Sequence, residues 1–230
     1  MYPVPDDRAD PLAVRFTEFI NARAFPCVGA KAALNRDGMR FVVARDFASA
    51  WDDLRIMPAL LKVARDYRAD PQPFRSLVVL FEHGAPRDEA AFEALLWQRL
   101  QSLSDKDDWL GQSPDPRVAH DPDDPHFAMS FGGEGFFVVG LHPRSSRPAR
   151  RFATPALVFN LHDQFEQLRA LDRYDPLRAA ILNRDLALAG VANPMLGSHG
   201  TVSAARQYSG RAVGDGWTCP YSGRARQDAA

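Results

Sequence analysis

The sequence predicts an α+β fold: a single domain spanning residues 1–230, with an ordered core over about 11–222. A mainly antiparallel central sheet is flanked by helices, and a long irregular segment ends the chain. Three observations predict this. Helical and strand-like segments follow one another too irregularly for a doubly wound parallel sheet. The apolar runs FAMSF and GFFVVGL meet around Gly132-Gly133-Glu134, the pattern of a hairpin with a glycine turn. From Asn193 onward glycine, serine and proline replace periodicity, and structureless stretches of that length usually carry function or remain disordered.

The elements follow in order. Residues 11–24 place Leu12, Phe16, Phe19 and Ile20 on one helical face. FPCVGAK, residues 25–31, is a loop leading into a run able to start a helix. A strand is predicted over 39–47 and a helix, disturbed by Pro58, over 49–67. FRSLVVLFE (74–82) reads as a buried strand, and 88–103 as a helix with Phe92, Leu95, Leu96 and Leu100 inward and Glu93 towards water. Residues 113–125 are too rich in proline and aspartate for regular structure. TPALVFNL (154–161) is a further strand, and 163–171 and 176–188 are helices, with Asp163 expected as a cap.

With 28 basic and 29 acidic residues the formal charge is −1, which argues against bulk attraction to nucleic acid or an anionic membrane. No apolar run approaches the roughly 20 residues that span a bilayer. The N-terminus is acidic where a signal peptide is basic. Two cysteines, Cys27 and Cys219, do not make a disulfide framework, so a cytoplasmic, reduced protein is expected. Neither a dinucleotide fingerprint nor a Gly-x-Ser-x-Gly elbow occurs, since SFGGEGFF lies between strands and precedes no helix.

Three segments carry candidate chemistry. In FPCVGAK, a helix N-terminus would offer Cys27 backbone N–H groups and a positive dipole end, and Gly29 would let a flat ligand approach the sulfur. This suits a thiolate that ligates haem iron; the plainer reading is a buried apolar cysteine in a turn. In GLHPRSSRPARRF, residues 140–152, His142, Arg144, Ser146, Arg147, Arg150 and Arg151 lie close together in sequence. Arginine forks suit carboxylates and phosphates, and the alternative is a solvated basic loop. His142 reads as an axial ligand, a distal acid/base or a satisfied strand-end histidine; no second ligand stands at zinc-site spacing from it. In residues 193–221, His199, Gln207, Tyr208, Arg211, Trp217 and Cys219 suit either a lid over a flat ligand or a wrap that covers the sheet.

Taken in order, FPCVGAK, HPRSSRPARRF, LVFNLHDQFEQLR, Arg184-Asp185, NPMLGSHG, ARQYSGR and WTCPY resemble the YqcI/YcgG family over most of the chain. That family includes haem-dependent N-hydroxylases and N-oxygenases, among them the guanitoxin-pathway N-hydroxylase. The resemblance implies haem (iron protoporphyrin IX), dioxygen as co-substrate, and an external electron donor, a reductase or ferredoxin. It also implies an oxygenase acting on a guanidine or amine nitrogen of a small amino-acid-like metabolite. The expectation is Cys27 as proximal ligand, with His142 or Cys219 as alternatives. Arg144, Ser146, Arg147, Arg150, Arg151, Arg211 and His142 are then expected around the cofactor, and His199 and Tyr208 as catalytic groups. One departure is visible: Ser203-Ala204-Ala205 stands where Ser-Glu-Ala is expected. A haem carrier or sensor, and a haem-free binder of an anionic metabolite, remain alternatives.

Overall fold

The structure, a computed structural model, describes residues 4–195 and 202–223. Its sheet contains β1 (Met39–Asp46), β2 (Ser76–His83), β3 (Met129–Phe131), β4 (Glu134–Leu141) and β5 (Ala156–Leu161), in the order β1-β2-β5-β4-β3. β1 and β2 are parallel and every other pairing is antiparallel. A parallel pair needs a long crossover, and α3 (Asp53–Ala69) supplies it, running on through Pro58. Gly132 and Gly133 both take positive φ in the β3–β4 turn, which glycine adopts without Cβ strain.

Side chains alternate across the strands, so the sheet has two different faces. On one, Leu77, Val79, Phe136, Val138, Leu157 and Phe159 pack against α3 and α4 (Glu89–Trp109) in the larger core. Fully buried Asp53 ties these helices together, accepting from Arg99 Nη1 and Ser102 Oγ, both at 2.6 Å. On the other face Phe41, Val78, Leu80 and Val158 meet α1 (Pro11–Asn21) and Ala33 of α2 (Val28–Asn35). That second layer is incomplete. Its remainder is roofed by α5 (Asp163–Ala170) and α6 (Tyr174–Ala189), and α6 buries a single residue, Asp185. The apolar side chains of α6 therefore look onto a cavity instead of a filled core.

Two expectations are corrected. Glu93 is buried, because the C-terminal segment folds over α4 and converges on its carboxylate. Ser209 Oγ donates to it at 2.9 Å, Arg211 Nε at 3.0 Å and Trp217 Nε1 at 3.3 Å. Asp163 is not a cap; it is the first residue of α5, and its carboxylate accepts from the Tyr67 hydroxyl at 2.8 Å. The described part of the C-terminal segment is irregular, as predicted, apart from the short helix α7 (Ala205–Tyr208). Among the described residues no helix is long and apolar enough to cross a membrane.

Candidate functional site

The cavity between the sheet, α1, α2, α5 and α6 has a volume of about 340 Å³, within the rough 300–1,000 Å³ of small-molecule sites. Its walls are mainly apolar: Phe16 and Ile20 from α1, Phe137 and Val139 from β4, Leu177 and Ile181 from α6. Cys27 stands at its edge for a local reason. Pro26 precedes it and α2 begins at Val28, so Cys27 is the N-cap, with Sγ accepting from Ala30 N at 3.4 Å. Burial pushes the Cys27 thiol above its ordinary pKa, against the pull of the Ala30 and Gly29 N–H groups and the positive charge of Arg150. A Cβ on Gly29 would find ordinary contacts only, 3.8 Å from Cys27 Sγ and 3.9 Å from Phe74. The protein's own packing does not demand a glycine there; its absent side chain leaves room in the cavity.

Arg147 and Arg150 enter the same cavity and are held differently. Arg147 pairs with Asp185 of α6 and donates to Val191 O at 3.1 Å, so it fastens the roof. Arg184 fastens the other edge, donating to Arg23 O at 2.7 Å and Phe25 O at 3.0 Å just before Cys27. Arg150 Nη1 donates to Tyr208 O at 2.9 Å and Gly140 O at 3.2 Å. Its stem lies where Gly210, with φ +82°, has no Cβ; one added there would sit 2.5 Å from Arg150 Cδ. Burial pulls the Arg150 pKa down to about 10, Asp185 opposes this and Arg147 adds to it, so Arg150 stays charged at neutral pH. Among the described residues no carboxylate forms an ion pair with it.

The remaining sequence candidates lie elsewhere. The structure does not bring His142 to the cavity. It follows Leu141 in β4 and so points to the opposite face, where its ring stacks on Phe92 with centroids 4.2 Å apart. It is 1% exposed, and among the described residues neither ring nitrogen has a hydrogen-bond partner. Burial lowers its pKa to about 4, Glu89 opposing and Arg150 reinforcing the effect. Tyr208 is fully buried beside Trp97 in the larger core and donates to Phe136 O at 3.2 Å; only its carbonyl serves the site, by holding Arg150. Burial raises the Tyr208 phenol pKa.

Arg144 is exposed, Ser146 binds Glu89, and Arg151 clamps its own loop through Ser145 O at 2.9 Å and Ser146 O at 3.2 Å. Arg211 is committed to Glu93. Cys219 packs on the larger core and burial pushes its thiol up to about 12. His199 lies outside the described residues. The aromatic residues Tyr208, Trp217 and Tyr221 thus wrap the far side of the sheet, and the segment sends Val202, Ala204 and Gln207 to the cavity. Ala204, the departure in the Ser203-Ala204-Ala205 stretch, places a methyl group in the wall.

Sequence reasoning missed Ser76, Asn160 and Gln164, which line the cavity from β2, β5 and α5. For Asn160 a signal was present: a lone amide in the otherwise apolar strand ALVFNL. Among the described residues no group of three or more His, Cys, Asp or Glu side chains is placed to hold a bare metal ion.

Fold and site together define an α+β protein with an apolar cavity that has a cysteine and two arginines, Arg147 and Arg150, in its wall. The chain belongs to the YqcI/YcgG family, whose model matches residues 16–222. No curated protein and no solved structure matches it.

Proposed function

We propose that the protein is a haem-dependent oxygenase that adds oxygen to a guanidine or amine nitrogen of a small amino-acid-like metabolite. One observation carries the reading: Cys27, at a helix N-terminus, and Arg150, a half-buried cation with no carboxylate in ion-pair contact among the described residues, stand in the wall of one apolar cavity. A cation withdrawn partly from water and held by backbone carbonyls alone favours an anionic partner. These residues fit haem by their chemistry: a thiol for the iron, aromatic and aliphatic walls for the ring, and a guanidinium for a propionate.

Bound through Cys27, haem would supply activation of dioxygen, which a thiolate ligand favours by pushing electron density onto iron. The chain's own residues prepare that site. The Ala30 N–H and the Arg150 charge both favour the ionised sulfur over the neutral thiol. Phe16, Ile20, Leu177 and Ile181 would keep water from a bound ring, and the Arg147–Asp185 pair holds α6 as the roof. Electrons come from an external reductase or ferredoxin. Arg150, without an ion-pair partner among the described residues, also favours a second reading, a haem-free binder of an anionic metabolite.

Haem titration separates the two. The expected result is a Soret band with stoichiometric haem and a thiolate-type shift when reduced haem takes up carbon monoxide, both altered in Cys27→Ser. A Cys27→Ser protein with an unchanged haem spectrum removes the thiolate assignment, and absence of any Soret band leaves the anion-binding reading. A loaded protein that, with reductant and oxygen, oxidises none of a panel of guanidines and amines is a haem carrier or sensor.

A further inference from the structure

The cavity floor holds a second set of polar groups that the haem reading does not use. The sheet face beneath the cavity is apolar over residues 76–80 of β2, 137–141 of β4 and 156–160 of β5 except at Ser76 and Asn160. These two are register partners on inner strands. Ser76 is buried and Asn160 partly so, and polar side chains withdrawn from water in this way cost free energy unless their hydrogen-bonding capacity is used. Ser76 Oγ donates to Asn160 Oδ1 at 2.8 Å. Asn160 Nδ2 reaches Phe137 O at 3.3 Å and Val158 O at 3.5 Å, both beyond the usual ~2.7–3.2 Å for such bonds. Asn160 Oδ1 and Ser76 Oγ each keep lone pairs for a further donor.

Gln164 completes the set. It is 4% exposed and lines the same cavity. Its Oε1 accepts at 3.1 Å from the backbone N–H of Arg75, the residue before Ser76. Its Nε2 has no acceptor among the described residues. The floor therefore offers two acceptor oxygens and one unmatched amide donor, with no carboxylate. The carboxylate found in the cavity wall among the described residues, Asp185, is taken by Arg147.

We infer that Ser76, Asn160 and Gln164 form a recognition subsite for a neutral, planar hydrogen-bonding head of amide or ureido type. The ligand's N–H donates to Asn160 Oδ1 or Ser76 Oγ, and its carbonyl oxygen accepts from Gln164 Nε2. A cationic head gains no counter-ion there and leaves Gln164 unmatched. An anionic head meets two acceptor oxygens. Phe137, Phe165 and Leu168 offer apolar surface to the rest of the ligand. Nothing in this subsite depends on haem.

Benzamide, benzamidine and benzoate carry the same ring with a neutral, a cationic and an anionic head, and calorimetric titration of the full-length protein without added haem compares them. The expected result is that benzamide binds about ten-fold or more tightly than benzamidine, the discrimination typical of losing one buried hydrogen bond, whereas benzoate reports on Arg150 in the same cavity. Asn160→Leu should weaken benzamide about ten-fold. Gln164→Met, on a helix and so less exposed to misfolding, should do the same while leaving benzoate binding within about two-fold. Equal or tighter binding of benzamidine, benzamide binding untouched in Gln164→Met, benzoate binding lost together with benzamide in Gln164→Met, or no binding of benzamide each overturn the proposal. None of these outcomes alters the Soret titration, so the two readings fail separately.

Discussion

Replacing His142 by phenylalanine tests whether this residue is a structural burden or a working group. In the folded protein the ring is 1% exposed and lies against Phe92, and neither nitrogen has a hydrogen-bond partner among the described residues. Burial holds its pKa near 4 against the usual 6.5. Unfolded, His142 takes up a proton below pH 6.5; folded, it stays neutral until about pH 4. Acid therefore favours the unfolded chain, and stability is lost as pH falls from 6.5 towards 4. At about 1.4 kcal/mol per pH unit, that window corresponds to about 3 kcal/mol. His142→Phe keeps the stacked ring and removes the titrating group and two unmatched nitrogens, so stability at pH 7 should be equal or higher. Urea unfolding of both proteins at half-unit steps from pH 4 to 7 checks this. The wild type should lose about 3 kcal/mol more than the variant over the range. Parallel pH curves would refute the buried neutral histidine, and loss of haem binding in His142→Phe would return His142 to the list of ligands.

Two further outcomes follow from the same structure. Glu93→Gln removes the charge that holds Arg211, Ser209 and Trp217; with Arg211 31% exposed, the loss should be about 1–2 kcal/mol. Thermal unfolding should show a Tm about 2–8 °C lower, with faster proteolysis within residues 202–223. In haem-free protein, iodoacetamide labelling of Cys27 followed by peptide mass spectrometry should be slow at pH 7 and rise with pH beyond 9, because burial keeps the thiol protonated. Rapid labelling at neutral pH that is independent of pH would contradict that environment.

The strands and long helices were legible because their signals are local. An alternating or continuous apolar run marks FRSLVVLFE and GFFVVGL, and periodicity marks α1 and α4. Cys27 as the residue opening a helix was legible too, from proline before it and small residues after it. Glu93 was misread because a lone charge on a helix face normally meets water; here a segment over a hundred residues later covers it. His142 was misplaced relative to Cys27 for a related reason. Residues adjacent in β4 point to opposite faces, and only the assembled sheet tells which face holds the cavity.

By itself, the sequence determined the α+β class, the antiparallel hairpin, the absence of a nucleotide fingerprint and the family to which the chain belongs, since each is written in residue type and short-range spacing. Tertiary structure decided which candidates meet. Arg147 and Arg150 face Cys27's cavity, whereas Tyr208, Arg211 and His142 are spent on the other side of the sheet. Ser76 pairs with Asn160, 84 residues away. Such juxtapositions depend on strand order and on which elements leave a layer unfilled, and both are set by long-range burial instead of local pattern.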